Sequence, residues 1–273
     1  LIRNPIGCRS VSPPNGNAFL LVLVACRHRE VEDRSLIRKT WGKVKVHKGK
    51  SILVRFLVGL SHTQDQESRI EQEIAECGDI IQGNFVDSYH NMTLKVLMGL
   101  KWAGLMCPNA TYVMNLDSDM FVNVYNLVSL LEDSPRVKFA KGNLKPFTRP
   151  LRQRNMKWYT SFDMYPESTY PPYLNGPAYV MSGDLPGRIF NESVHVRYIP
   201  WDDVFIGLVM KKIKVMPLRG NHFEDYPDLD RTREVGHTIR IGIATYITHQ
   251  RKAEPFFMEI WTNISRSVNH HLP

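Results

Sequence analysis

Strand-length apolar runs alternate with helix-length amphipathic ones over residues 19–123, and this pattern constrains the chain more than any other feature. "FLLVLVAC" (19–26) has the length of a buried strand and no charged residue to turn towards solvent. "VEDRSLIRKTWG" (31–42) follows, acidic early, basic late and closed by glycine, as a helix dipole favours. "SILVRFLVG" (51–59) and "DIIQGNF" (79–85) read as further strands, and "QDQESRIEQEIAEC" (64–77) between them as a helix with Ile70 and Ile74 on its inner face. Segment 92–107 places Leu94, Leu97, Met98 and Leu105 on one stripe, which predicts a helix laid on a sheet. A further strand spans "YVMNL" (112–116). Repeats of this kind need crossover connections, so they specify an α/β fold: a mostly parallel central sheet with helices on both faces.

Such a sheet binds ligands beyond the carboxyl ends of its strands. There the chain carries Asp117-Ser118-Asp119, two carboxylates separated by one small residue. The pair suits a hard cation such as Mg²⁺ or Mn²⁺, which takes oxygen ligands and shares them with substrate phosphates. The same tripeptide also suits a plain turn or helix cap. Asp202-Asp203 opens a second helix-like run, "DDVFIGLVMKKIKV", where acids complement the helix dipole. Held beside Trp201, Val204 and Phe205, either acid is also placed for general-base chemistry. Between the two pairs lies 136–158, basic and without an acid, followed by an aromatic stretch with Trp158, Tyr159, Tyr165, Tyr170, Tyr173 and Tyr179. Aromatic faces with polar rims suit sugars, and Gly176 lets a ligand approach the backbone. Core packing and a solvated basic loop are the plain readings of these stretches.

The formal charge of +8, from 35 Lys+Arg against 27 Asp+Glu, favours anionic company. Zinc-finger spacing, an RNP-like run and a helix-turn-helix are all missing, so nucleic acid is not expected. The longest apolar run is strand-sized, short of the ~20 residues of a membrane-spanning helix. Four sequons, at Asn91, Asn109, Asn191 and Asn263, mark candidate glycosylation sites and point to the secretory pathway. There disulfides form, and Cys8 with Cys107 is the candidate pair among four cysteines that make no C-x-x-C motif.

Taken in order, "RSLIRKTWG" (34–42), "FLVG" (56–59), "DIIQGNFVDSYHNMTLKVL" (79–97), "CPNATYVMNLDSDMFVN" (107–123), "KWYTSFDMYPESTYPPYLNGPAYVMSGD" (157–184) and "DDVFIG" (202–207), with His249-Gln250 and Trp261 behind them, resemble the β-1,3-glycosyltransferase family. That family includes β-1,3-galactosyltransferases and β-1,3-N-acetylglucosaminyltransferases. The resemblance implies a GT-A fold, a UDP-sugar donor, Mn²⁺, and inverting transfer to the 3-hydroxyl of a glycoprotein or glycolipid glycan. It also implies a type II membrane protein of the Golgi lumen, with an anchor outside this sequence, and is compatible with a homodimer. By position, Asp119 is the expected metal ligand with His249 as a further one, and Asp203 the expected base. Asp117, Ser118, Arg34, Arg38, Asp87 and Lys95 are expected on the donor side, and Trp158, Tyr159, Tyr173, Gly176 and Asp202 on the acceptor side. Residues 1–18 are expected as a stem remnant and 19–273 as one catalytic domain, with a nucleotide-binding half at about 19–123 and an acceptor-side half at about 124–273.

Three departures stand out. Ser118 replaces the middle of three acids, Leu174 stands at the cysteine in "YPPYLNG" where "YPPYCSG" is usual, and cysteines found elsewhere near Val209 and Ile243 are missing. Galactose is the first expectation for the transferred sugar and N-acetylglucosamine the second. Ser118 motivates a third reading, a non-catalytic glycan- or nucleotide-binding relative. A polyanion-binding module using 136–157 is a fourth.

Overall fold

The computed structural model describes residues 2–5, 7–8, 17–225, 232–246 and 254–269. The strands are β1 (Leu20–Ala25), β2 (Val46–His47), β3 (Lys50–Leu60), β4 (Ile80–Val86), β5 (Tyr112–Asp117), β6 (Met120–Val122), β7 (Ala140–Lys145), β8 (Tyr173–Ser182), β9 (Leu218–Arg219), β10 (Phe223–Asp225) and β11 (Ala244–Tyr246). The helices are α1 (Val31–Lys39), α2 (Gln64–Cys77), α3 (Met92–Met106), α4 (Val124–Glu132), α5 (Leu185–Ser193), α6 (Asp202–Lys212), α7 (Thr232–Ile241) and α8 (Glu254–Asn269). The main sheet runs β2-β3-β1-β5-β8-β7-β9, with β4 also beside β3. Pairs β1–β3, β1–β5, β3–β4 and β7–β9 are parallel, whereas β5–β8, β7–β8 and β2–β3 are antiparallel. The expected parallel sheet thus covers the first half, and the second half adds antiparallel strands to its edge. A small sheet, β10-β11-β6, continues from the end of β5.

Both faces of the main sheet are covered, as expected. Period-two alternation in β1 sends Leu20, Val22 and Val24 into one core with Ile37, Leu127, Ile239 and Trp261, and Leu21 and Leu23 into the other with Leu100, Ile189 and Phe205. Helices α1, α2, α4, α7 and α8 therefore cover one face, and α3, α5 and α6 the other.

Only part of the expected stripe on α3 is buried: Met98 lies in the core and Leu97 packs partly against it. Leu94 and Leu105 are 38% and 65% exposed, whereas Val96, Leu100, Trp102 and Ala103 are buried. Small residues select that face. A Cβ on Gly99 would stand 2.6 Å from Leu57 Cδ1, and one on Gly104 would stand 2.8 Å from the Gly187 backbone. Only glycine lets α3 settle this close to β3 and α5.

The segment expected as a stem packs on the domain where it is described. Ile2 donates its N–H to Gln82 O at 2.8 Å, Trp102 Nε1 donates to Asn4 Oδ1 at 2.5 Å, and Cys8 is bridged to Cys107 across 99 residues. Cys26 and Cys77 are free, as expected. Of the sequons, Asn109, Asn191 and Asn263 are exposed; Asn91 is half-buried and spends one amide N–H on Val86 O at 2.8 Å. Among the described residues no helix is long and apolar enough to cross a membrane.

Because the Cys8–Cys107 loop is long, it restricts the unfolded chain strongly. Cys8→Ser is expected to lower the unfolding free energy by about 2–5 kcal/mol. Urea denaturation of the variant against the oxidised wild type measures this, and coincident midpoints would contradict it.

Candidate active site

The carboxyl ends of β1 and β5 lie side by side, Ala25 opposite Asp117, and form one wall of an open cleft of about 690 Å³. β8 runs antiparallel to β5 and pairs with it only from Ala178 on, so the residues before that, Asn175 and Gly176 among them, continue past the tip of β5 and line the cleft with Ser118. Gly176 in turn faces the start of α6: a Cβ there would lie 3.6 Å from Asp202 Oδ2 and 3.8 Å from Asp203 Cβ. Two acid pairs more than eighty residues apart in sequence therefore share one cleft, together with Glu30, Arg27, Arg149 and Lys157.

The carboxylates press on one another. Burial, and then the charge of Asp119, push the Asp117 carboxyl up to about 7. Asp202 is driven well above the ordinary carboxylate range by burial and by Asp203. Asp203 is pushed up to about 6 by burial, held back by N–H groups of Val204 and Gly176 and raised by Glu224. The Val204 N–H donates to Asp203 Oδ1 at 2.7 Å, and this contact at the first turn of α6 fixes the side chain. Of the two acids, Asp203 is the one poised to be an ionised base near neutrality.

Ser118 is not an empty substitution. Its hydroxyl donates to Glu30 Oε2 at 2.8 Å, and the same oxygen accepts the Arg27 N–H at 2.7 Å. A carboxylate from the loop after β1 thus stands beside the middle residue of the triplet. An acid at 118 would instead repel Glu30.

The remaining wall is aromatic. Trp158 Nε1 donates to Tyr89 Oη at 2.7 Å, and the Lys157 ammonium lies 4.5 Å from the Tyr89 ring centroid. Tyr170 Oη and Trp201 Nε1 both donate to Thr160 Oγ1, at 2.8 and 2.9 Å, tying this loop to the entrance of α6. Of the residues expected on the acceptor side, Trp158, Tyr173, Gly176 and Asp202 line the cleft. Tyr159 does not; it makes a β-bridge with Leu151, which does.

On the donor side only Asp117, Ser118 and Asp119 line the cleft. The Arg34 side chain is fully buried, its Nη2 and Nε donating to Glu73 at 2.6 and 2.8 Å and its Nη1 to Arg27 O at 2.7 Å. Arg38 forks onto Asp79 at 2.7 and 2.9 Å and reaches Glu73 at 2.7 Å. Lys95 pairs with Asp87 at 2.7 Å and donates to Cys26 O, and both side chains are buried. These four expected donor contacts are instead spent within the protein, where Arg34 and Lys95 brace the loop 26–30. His249, expected as a metal ligand, lies outside the described residues. Among the described residues no cluster of three or more His, Cys, Asp or Glu is spaced to hold a metal. Glu30, Tyr89 and Asn175 line the cleft without having been singled out. Their only sequence signal is that Glu30 lies just beyond a parallel strand, where ligands bind.

Comparison with known proteins agrees with this geometry. The galactosyltransferase family matches residues 32–219. β-1,3-Galactosyltransferase 5 of Pan troglodytes is 41% identical over 209 residues, 76% of this chain and 69% of that protein. β-1,3-Galactosyltransferase 1 of Mus musculus is 38% identical over 241 residues, 86% of this chain and 72% of that protein. The solved galactosyltransferase LgtC, complexed with donor and acceptor sugar analogues, covers 90% of this chain and 95% of its own at 14% identity and a TM-score of 0.47, too remote to carry an argument. With this match spanning the helix behind the loop 26–30, the Asp117–Asp119 tip and the start of α6, the chain belongs to the galactosyltransferase family of enzymes.

Proposed function

We propose that the protein transfers galactose from UDP-galactose to the 3-hydroxyl of a glycan acceptor with inversion, giving a β-1,3 linkage. The observation that carries this reading is the meeting of Asp203, the acid best placed to be a base, with the Asp117–Asp119 tip in one cleft. The names of the relatives favour galactose over N-acetylglucosamine. In this reading Asp203 accepts the proton of the acceptor 3-hydroxyl as that oxygen forms its bond to the anomeric carbon. The bond from that carbon to the UDP oxygen breaks on the opposite face, and UDP leaves with the electron pair. The Val204 and Gly176 N–H groups keep the Asp203 carboxylate oriented, and Trp158 with Tyr173 offers faces to the acceptor sugar.

A divalent cation, Mn²⁺ by the family's habit, fits Asp119 and Asp117. Two half-buried carboxylates that repel one another suit a cation, and such ions commonly take one or two carboxylates with substrate phosphates in place of a closed protein cage. When bound, it supplies positive charge to offset that of the departing diphosphate. The exposed sequons support a place in the Golgi lumen, with the type II anchor outside this sequence.

Asp203→Asn is expected to lower turnover by about 10²–10⁴-fold while leaving UDP affinity nearly intact; retained turnover would remove Asp203 as the base. With Asp203 pushed up to about 6, the wild-type rate should hold above that pH and fall about ten-fold per unit below it. A flat profile between pH 5 and 8 would contradict the assignment. Asp119→Ala should abolish the Mn²⁺ dependence of UDP binding measured by calorimetry, and unchanged affinity in Mn²⁺ would refute its role as a ligand.

A further inference from the structure

Glu224 is a buried acid that the proposed chemistry does not use. Its backbone has φ +63°, a conformation that costs an L side chain energy and that must be held in place by its surroundings. It lies where β10 slips register against β11, between the pairs Phe223–Ala244 and Asp225–Thr245. An extra residue at such a bulge re-aims its side chain, and bulges recur beside active sites. Here the side chain leaves its own small sheet and crosses to the main one. Oε2 accepts the Asn143 amide N–H of β7 at 2.6 Å, and the two oxygens accept from Asn175 of β8 at 2.8 and 2.9 Å. Asn175 lines the cleft and precedes Gly176, which faces the base: a Cβ there would lie 3.8 Å from Asp203 Cβ, and its backbone N–H favours the ionised Asp203 carboxylate.

We propose that Glu224 is a positioning residue for the base: by clamping Asn143 and Asn175 it fixes the start of β8, and with it the Gly176 N–H that holds the Asp203 carboxylate. The same small sheet includes β6, which directly follows Asp119, so the bulge also ties the base to the opposite end of the cleft.

Glu224 also adds negative charge next to Asp203. Among the described residues, the other groups that face the pair Asp202–Asp203 are Asp117 from β5, Tyr173 and Tyr179 from β8, Tyr170 from the loop before β8, Tyr198 from the segment before α6 and Tyr89 from the segment before α3. The cations of the cleft are Arg27, Arg149 and Lys157, and Lys145 acts on Glu224 itself. Among the groups acting on Asp203, Glu224 is the acid reached through hydrogen bonds to the strand that holds the base.

This inference rests on the reading of Asp203 as the base, and two variants test it. Glu224→Ala removes clamp and charge, and is expected to lower kcat by about ten-fold or more, as misplacement of a base does. The KM for UDP-galactose should stay within about two-fold, because the donor end is untouched. Glu224→Gln keeps one oxygen, at the place of Oε2, to accept from both Asn143 and Asn175, and loses the charge and the second acceptor. It should restore most of kcat and move the acid limb of the profile to lower pH, because Asp203 loses a negative neighbour that favours its protonated form. A Glu224→Ala enzyme with wild-type kcat, or a Glu224→Gln acid limb superimposed on the wild type, would overturn the proposal. A second readout needs no turnover: the carboxyl ¹³C titration of Asp203, assigned with Asp203→Asn, should show a lower midpoint in Glu224→Gln. An unmoved midpoint overturns the proposal even if the protein transfers no galactose, an outcome that would sink the functional reading by itself.

Discussion

Five carboxylates, those of Glu30, Asp117, Asp119, Asp202 and Asp203, share one cleft, and the rest of the structure is arranged around their mutual repulsion. Burying like charges together is costly unless they are neutralised or paired. The chain answers in part with hydrogen bonds, from Ser118 and the Arg27 N–H to Glu30 and from backbone N–H groups to Asp203. Asp117 receives no such help that offsets its burial beside Asp119, and its proton affinity rises accordingly. That uneven treatment separates the roles: at one end the Lys95 charge does not offset the burial of Asp117 beside Asp119, and the other end holds an acid pushed up to about 6. A cation bound with a diphosphate would complete the first end, and an acceptor hydroxyl would occupy the second.

Holding such a cluster together needs rigid mounts. Asp117 ends a strand buried from Tyr112 to Leu116, paired on both sides by β1 and β8. Asp202 and Asp203 open a helix whose Val204, Phe205 and Ile206 are locked in the second core. The loop between β1 and α1, which carries Glu30, is braced from behind by Arg34 and Lys95. Removing Lys95 would take from the buried Asp87 its ammonium partner, a loss that usually costs several kcal/mol, whereas Glu73 would keep Arg38 if Arg34 were removed. These basic residues thus act on the cleft through the loop they support.

Much of this was legible from residue pattern alone. Alternation placed the strands of the first half and the helix α2 at its observed bounds, because buried strands and amphipathic helices carry strong local signals. The aspartate pairs were legible because each sits where an element begins or ends. Contacts decided by tertiary structure were not. Arg34 and Arg38 meet Glu73 and Asp79 across 39 and 41 residues, so nothing local marks them as paired. The buried face of α3 was set by Gly99 and Gly104, whose lack of a side chain outweighed the leucine stripe. Strands β6, β10 and β11 have three residues each, too few for a period to register, and with them the reach of Glu224 into the site stayed hidden.

The most direct test of the central claim is UDP release from a panel of UDP-sugars, offered with a mixed pool of β-galactoside, N-acetylglucosamine and N-acetylgalactosamine acceptors, with and without Mn²⁺. The account expects release from UDP-galactose that requires both acceptor and metal. Metal-dependent release from UDP-N-acetylglucosamine alone would contradict the assigned sugar, and no release from any donor by protein that still binds UDP would contradict the enzyme.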